Sequence, residues 1–328
     1  MTRMYGLAAL LAAVLLSGEG VLHAAPEGPI AATPDQWMAT AQQQLRAGDV
    51  ASAIRALQSA VAIDPRHGAA GLLITTLHQA GRVEEAYRIG DQYHREGPRN
   101  PRALFRFGWL LSYSGEITRS EALYRDLVQL DKGGIYEAWG NGELAYLARA
   151  RGEPQQAVEF MRRAVAAKPD DEISRVGLAH MMVNAGDARA AVPLLEAALA
   201  KNSAARGYGG MPAAIVLGWA LRLLGDESAA ARWFETREAE RASGAWASEP
   251  ARELAFFAVS GRREEALQLA ARTPHILLYG APDPHDGMLA SLAGEPRFEA
   301  LLQRSRAKVN EERARLGWPP IDSGPPRH

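Results

Sequence analysis

Small and apolar residues recur along the chain in blocks of about 35 residues, and each block holds two stretches with helical spacing. In the block Trp139–Pro169, Leu144 and Ala148 are four residues apart in the first stretch, and Ala157 and Met161 are four apart in the second. Residues at this spacing share one face of a helix. Each block therefore predicts a pair of helices that bury one face against each other.

A glycine separates the two helices of each block and recurs at steps of 33, 34, 37, 34, 39 and 36 residues. Glycine is favoured there because it adopts the left-handed conformation that ends a helix. An alanine follows five residues after six of the seven glycines, and small residues of this kind allow two helices to approach closely. A period of this length is typical of repeat solenoids. The glycines are Gly48, Gly81, Gly115, Gly152, Gly186, Gly225 and Gly261, and the alanines are Ala53, Ala86, Ala157, Ala191, Ala230 and Ala266.

The blocks resemble the tetratricopeptide repeat (TPR) family, most clearly in the fourth block. The matching positions are the small residue before the turn, the turn glycine, two alanines, a large apolar residue between them and a closing proline. The resemblance covers residues 34–272 and implies an all-α, right-handed superhelical solenoid of about seven antiparallel helix pairs. It implies little about function, because one fold serves many unrelated partners. The matching residues are Ala145, Gly152, Ala157, Met161, Ala164 and Pro169.

The segments outside the repeats have compositions of their own. Arg3 precedes a 13-residue apolar stretch, Met4–Leu16, and small residues follow at Ala24 and Ala25. This layout predicts a secretory signal peptide over residues 1–24, since a membrane span needs about 20 apolar residues; an uncleaved anchor is the alternative. A linker is predicted over 25–33, a flexible kink at Lys201–Gly210, a loop with a short helix over 273–294, a capping helix over 295–318 and a flexible tail over 319–328.

Composition excludes several classes of function. The 328 residues carry a formal net charge of −1, whereas a nucleic-acid partner requires a large basic surface. Cysteine is absent, which excludes disulfides, thiolate metal sites, thiol nucleophiles and a lipid-modified N-terminal cysteine. We therefore expect no nucleic-acid partner, and an exported protein that is periplasmic or secreted, is not a lipoprotein and has no membrane span after signal cleavage.

The resemblance also implies a binding surface, because the first helix of each pair lines the inner face of a TPR array. Aromatic and arginine side chains at these positions are typical of binding hot spots. The alternative is that they pack between helices, as aromatic residues at helical spacing often do. The partner-binding residues predicted in this way are Phe105, Trp109, Tyr113, Trp139, Tyr146, Arg149, His180, Trp219 and Arg222.

No motif in the sequence indicates catalysis, a metal or a cofactor. His285 and Asp286 lie in a Pro/Gly-rich segment that favours a turn rather than a metal site. The glycines of Gly207–Gly210 lack the strand before and the Lys-Ser/Thr after that a phosphate loop requires. We therefore predict no catalytic residues, no metal and no cofactor.

Taken together, these features predict an exported scaffold that holds a protein or peptide segment in its concave groove. A polysaccharide export or assembly scaffold, with glycan bound in the groove, is the alternative. An enzyme and a purely structural oligomer are the remaining hypotheses.

Overall fold

A computed structural model describes residues 32–97, 99–243, 250–275 and 286–321. Within these ranges the chain is helical apart from turns, loops and one isolated β-bridge between Arg206 and Pro212. The chain forms two compact units, Met1–Leu110 (unit 1) and Leu111–His328 (unit 2). The predicted signal peptide, residues 1–24, lies outside the described residues, as does most of the predicted linker.

Unit 1 contains two helix pairs and most of a fifth helix. Consecutive helices pack on one another from α1 to α4. Thr33 caps α1 through a reciprocal bond with Gln36, which satisfies two backbone donors at the helix start. The helices are α1 (Pro34–Arg46), α2 (Val50–Ile63), α3 (Ala69–Gln79), α4 (Val83–Arg95) and α5 (Pro101–Tyr113), whose last three residues belong to unit 2.

Unit 2 continues the pattern of antiparallel pairs. The first helices of successive pairs, α7, α9, α11 and α13, contact one another in that order, so they form a continuous layer. A short 3-10 turn, Tyr208–Gly210, precedes α11, and a second, Gly287–Leu292, precedes the last helix. The helices are α6 (Ile117–Leu130), α7 (Ile135–Ala150), α8 (Pro154–Ala167), α9 (Glu172–Asn184), α10 (Ala188–Lys201), α11 (Ala213–Leu223), α12 (Glu227–Ala242), α13 (Pro250–Val259), α14 (Arg263–Arg272) and α15 (Pro296–Arg315).

The structure confirms the role of the periodic glycines and alanines. All seven turn glycines have φ between 76° and 88°, the region that side chains disfavour. The six alanines that follow them are fully buried. Asp49, Asp187 and Asp226 come directly after a turn glycine and cap the second helix of the pair. Local sequence therefore specifies both the break between the paired helices and their close approach.

Helix α15 joins the two ends of unit 2. Its first half packs on α14, where Arg297 pairs with Glu264 at 2.7 Å. Its 20 residues span about 30 Å, and near its far end Arg313 donates to the carbonyl of Ser114 at 2.7 Å and pairs with Glu116 at 2.9 Å. The helix predicted as a cap thus also reaches back to the turn between α5 and α6.

Two segments outside the helix pairs make defined contacts. The junction Lys201–Gly210 was expected to be a flexible kink, but it folds into a turn that buries Tyr208. At the start of the predicted tail, the Ile321 amide donates to Asn310 at 2.8 Å, and residues 322–328 lie outside the described ranges. Residues 276–285 of the predicted loop also lie outside them.

Candidate functional site

Four of the nine predicted binding residues meet on the layer of first helices in unit 2, and we call this surface the groove. Tyr146 and Arg149 come from α7, His180 from α9 and Trp219 from α11. The Arg149 guanidinium lies 4.8 Å from the centre of the Tyr146 ring. The His180 ring is edge-on to Tyr146 and to Trp219, with centroids 6.2 Å apart in both cases. The groove thus joins three consecutive repeats.

These four side chains are nearly inaccessible to solvent. Their exposed fractions are 4% for Tyr146, 5% for Arg149, 3% for His180 and 7% for Trp219. Two segments of the same chain, one around Tyr208 and one beginning at Asp286, cover them. The four side chains are therefore buried against other segments of the same chain.

Tyr208 fills the part of the groove next to Tyr146. Its hydroxyl donates to the Ala138 carbonyl at 3.2 Å and lies 3.2 Å from the Ser174 hydroxyl. The ring leaves no room for a side chain at Gly142 or Gly177, where an added Cβ would come within 2.2 and 2.9 Å of ring atoms. Burial raises the pKa of the Tyr208 hydroxyl well above its usual value, so it remains a neutral hydrogen-bonding group.

Residues Asp286–Leu292, which we call the strap, fill the part of the groove next to Arg149 and Trp219. Asp286 Oδ2 lies 3.5 Å from Arg149 Nη1. The Gly287 amide donates to Asn184 Oδ1 at 2.9 Å, and the Trp219 ring packs against Gly287 so closely that a Cβ there would lie 2.9 Å from it. The strap is thus held by a charge, a backbone hydrogen bond and an aromatic face.

The second half of the strap packs in an apolar cluster and accepts a hydrogen bond from an arginine side chain. Met288, Leu289 and Leu292 are buried, and the strap contacts α13 and α14. Arg263 donates to the Ser291 carbonyl at 3.1 Å. The strap therefore runs from the end of α7 to the last pair of helices.

The pKa of His180, in the centre of the groove, is strongly lowered. Burial and, to a smaller extent, the positive charge of Arg149 lower its pKa to about 4, and the negative charge of Asp286 partly opposes them. The ring is therefore neutral at pH 7. Its Nδ1 lies 3.4 Å from the Tyr146 hydroxyl, and its Nε2 is buried with no hydrogen-bond partner among the described residues.

The other five predicted residues lie outside this cluster. Phe105 is buried in α5, and Trp109, Tyr113 and Trp139 are half-buried. Trp139 packs edge-on against Tyr136, with centroids 5.4 Å apart. Arg222 is half-buried; it donates to the Val259 carbonyl and pairs with Glu227, so its charge is engaged between α11, α12 and α13.

Tyr208, Asp286 and Gly287 contribute to the site although the sequence did not identify them. Asp286 does take part in the turn that its sequence context favoured, because Oδ1 accepts from the Met288 amide at 3.0 Å. One signal was available: Gly142 and Gly177 lie inside helices, where glycine is unfavourable, and a close approach of another segment is a common reason.

The side chains of the groove offer a buried cation, an amide, a neutral imidazole and aromatic faces. Within the described ranges, no three His, Cys, Asp or Glu side chains are grouped as a metal ion would require.

None of the described helices is both long and apolar enough to cross a membrane.

The chain matches two models of the same kind of repeat. Two family models, both described as tetratricopeptide repeat, match this chain; one covers residues 44–104 and 148–211, and the other covers 105–172. Together they run without a break from residue 44 to 211, about half of the chain.

One curated relative is similar in sequence to part of this chain. Cellulose synthase 2 operon protein C from Komagataeibacter xylinus is 30% identical over 139 residues, which is 41% of this chain and 11% of the relative. This chain therefore matches only about a tenth of that relative's length.

The two solved structures resemble the chain in fold. A tetratricopeptide repeat protein from Parabacteroides merdae superposes with a TM-score of 0.51 at 13% identity, over 83% of this chain and 98% of that one. PilW, described as a widely conserved type IV pilus biogenesis factor, gives 0.50 at 17% identity, over 66% and 95%. At these identities the similarity concerns the fold alone.

Proposed function

The chain belongs to the tetratricopeptide repeat family, and we propose that it is an exported scaffold that binds a protein segment on the faces of its first helices. Helix pairs stacked in this way present an extended surface and are common protein-binding platforms. In this proposal aromatic burial supplies affinity, and Arg149 and Asn184 set the register of the bound segment.

The observation that carries the proposal is the strap. The groove holds a segment of polypeptide through an ion pair to Arg149, a backbone hydrogen bond to Asn184 and contact with Trp219. These are the interactions by which a folded surface recognises a peptide. A surface with this chemistry supports peptide binding more directly than it supports catalysis.

A photocrosslinking experiment tests the proposal. A photoreactive phenylalanine replaces Tyr113, which ends a first helix and is half-buried. The matched control places the same group at Phe160, a half-buried aromatic residue on the second helix α8. We expect a discrete adduct with one cellular protein at position 113 and not at 160. Equal patterns at both positions, or no adduct at 113, would contradict the proposal.

Export is a separate part of the proposal and rests on the apolar stretch Met4–Leu16 after Arg3. We expect the mature chain to be recovered from the periplasm or the medium, starting near residue 25. N-terminal sequencing of the purified protein measures this directly. A chain that retains Met1 and fractionates with the cytoplasm would show that the protein is not exported.

Polysaccharide binding is a second candidate, favoured by the name of the curated relative from Komagataeibacter xylinus. Half-buried tryptophans such as Trp109 and Trp139 are able to stack on sugar rings. Titration with soluble β-1,4-glucan oligomers, followed by tryptophan fluorescence, tests it. Saturable quenching that is lost in Trp139→Ala would favour this candidate over peptide binding, and an unchanged signal would exclude it for these oligomers.

A further inference from the structure

The strap occupies the groove in the manner of a ligand, and each of its first three positions meets a different surface. The position of Asp286 meets a cation, that of Gly287 meets an amide and an indole, and that of Met288 enters an apolar cluster. Each surface constrains which residue fits.

The first position requires negative charge. Arg149 is 95% buried and carries its charge on α7, and a buried cation is strongly disfavoured without an anion beside it. Asp286 provides the anion, but Oδ1 is also bound to the Met288 amide, and Oδ2 approaches Arg149 Nη1 only to 3.5 Å.

The second position requires glycine. Asn184 accepts from the Gly287 amide, and its own side-chain NH₂ donates to the His180 carbonyl at 3.1 Å, which fixes its orientation. A Cβ at Gly287 would lie 2.9 and 3.1 Å from Trp219 ring atoms and 3.2 Å from Asn184 Oδ1. Because ring and amide both stand this close, a side chain would push the backbone out of its hydrogen bond.

The third position requires an apolar side chain. Met288 is 1% exposed and Leu292 is fully buried. In addition, His180 Nε2 is buried within the groove and finds no hydrogen-bond partner among the described residues. The strap therefore leaves one polar atom of the groove unsatisfied, and a ligand with a hydrogen-bonding group near His180 Nε2 would satisfy it.

We propose that the groove of unit 2 binds, in another protein, a segment in which an acidic residue is followed by glycine and a large apolar residue, and that the strap competes with it. This inference rests on the proposed function, because it names the partner segment for the same surface. The partner can bind only those molecules whose groove is free of the strap. Its apparent affinity therefore falls as the strap fills the groove in a larger fraction of molecules.

A peptide-binding assay on the full chain tests the inference. The probe is a fluorescein-labelled peptide with the strap sequence Asp-Gly-Met-Leu-Ala-Ser-Leu, and its binding is followed by fluorescence anisotropy. The strap is weakened by the double change Asp286→Ser and Met288→Ser. The matched control, Ala290→Ser, adds a serine at an exposed position of the strap. Circular dichroism checks that every variant remains helical.

The strap-weakened variant should bind the peptide about tenfold or more tightly than the wild type and the Ala290→Ser control. Peptides with Asn in place of Asp, or Ala in place of Gly, should bind that variant at least about tenfold more weakly than the original peptide. These comparisons vary only the peptide, so they do not depend on the stability of the protein.

Two results would overturn the inference: no peptide binding by a folded strap-weakened variant, or equal binding of the original, Asn and Ala peptides. Should the variant fail to fold, Asp286→Asn alone takes its place under the same criteria. If crosslinking at Tyr113 identifies a partner while these peptides do not bind, only this inference fails. If the peptides do not bind and crosslinking at Tyr113 gives no partner either, the proposed function fails together with this inference.

Discussion

At the scale of single residues, the groove contains a glycine inside a helix and a neutral histidine in a buried position, and neither residue is favoured there by its intrinsic properties. Gly142 lies in the middle of α7, where alanine would be a better helix former by about 1 kcal/mol. His180 stays neutral in a buried site where one nitrogen lacks a partner. The segments that fill the groove account for the glycine and contribute to the burial that keeps His180 neutral, and both residues lead to quantitative predictions.

The first prediction concerns the contact between Gly142 and Tyr208. Gly142→Ala places a Cβ 2.2 Å from the Tyr208 ring, so we expect the free energy of unfolding to fall by about 1–3 kcal/mol, as in other overpacked cores. In a Tyr208→Ala background the ring is gone, and the same change should instead stabilise α7 by up to about 1 kcal/mol. Urea unfolding of the four proteins measures the cycle. An effect of equal sign and size in both backgrounds would disprove the contact.

The second prediction concerns pH. The pKa of His180 is about 4 in the folded chain and roughly 6.5 in the unfolded chain. As the pH falls below the unfolded value, the unfolded chain takes up a proton first. Stability from the neutral ring is therefore complete above pH ~6.5 and is lost by pH ~4, with a total change of roughly 3 kcal/mol. The charged groups facing the ring are Arg149 and Asp286.

The measurement compares wild type with His180→Phe, which keeps an aromatic ring between Tyr146 and Trp219. The difference between their free energies of unfolding, taken from urea titrations at pH 7, 5.5 and 4, isolates the histidine from other groups that titrate. We expect this difference to shift against the wild type as the pH falls. A difference that stays constant over this range would mean that His180 is not held neutral by burial.

At the scale of helices, the repeats depend on one backbone conformation at each turn. Gly186 has φ of 88° with open space around the position of a Cβ, and the next residue, Asp187, caps α10 by accepting from the Ala190 amide at 3.3 Å. The glycine therefore serves conformation rather than packing. The alanine five residues later serves packing, since Ala191 is fully buried.

This separation of roles gives the third prediction. Gly186→Ala should lower the free energy of unfolding by about 1–2 kcal/mol, because a side chain disfavours the left-handed region. Gly186→Asn should cost less, since asparagine adopts that region more readily. Thermal or urea unfolding monitored by circular dichroism gives both values. Equal losses for Ala and Asn would indicate that space, rather than backbone conformation, limits the position.

At the scale of the whole molecule, the features that repeat were predictable and the features that occur once were not. Gly152 and Ala157 recur in register with their counterparts, so the sequence specifies helix pairs and their packing. The contact of Asp286 with Arg149 joins residues far apart in the chain and leaves no periodic signal. Trp219 would occupy the same helix position in an open or a filled groove, and only the structure distinguishes them.

The fourth prediction tests the central claim, that the groove of unit 2 is a polypeptide-binding surface already holding the strap. Hydrogen–deuterium exchange of the full chain at neutral pH reports on the amides of Gly287 and Leu289, which donate to Asn184 Oδ1 and to the Asp286 carbonyl. We expect these amides to exchange at least about 100-fold more slowly than in an unstructured peptide. In Asn184→Ala, protection at Gly287 should fall while the amides inside α8 remain protected. Exchange of Gly287 and Leu289 in the wild type at the rate of an unstructured peptide would contradict the account.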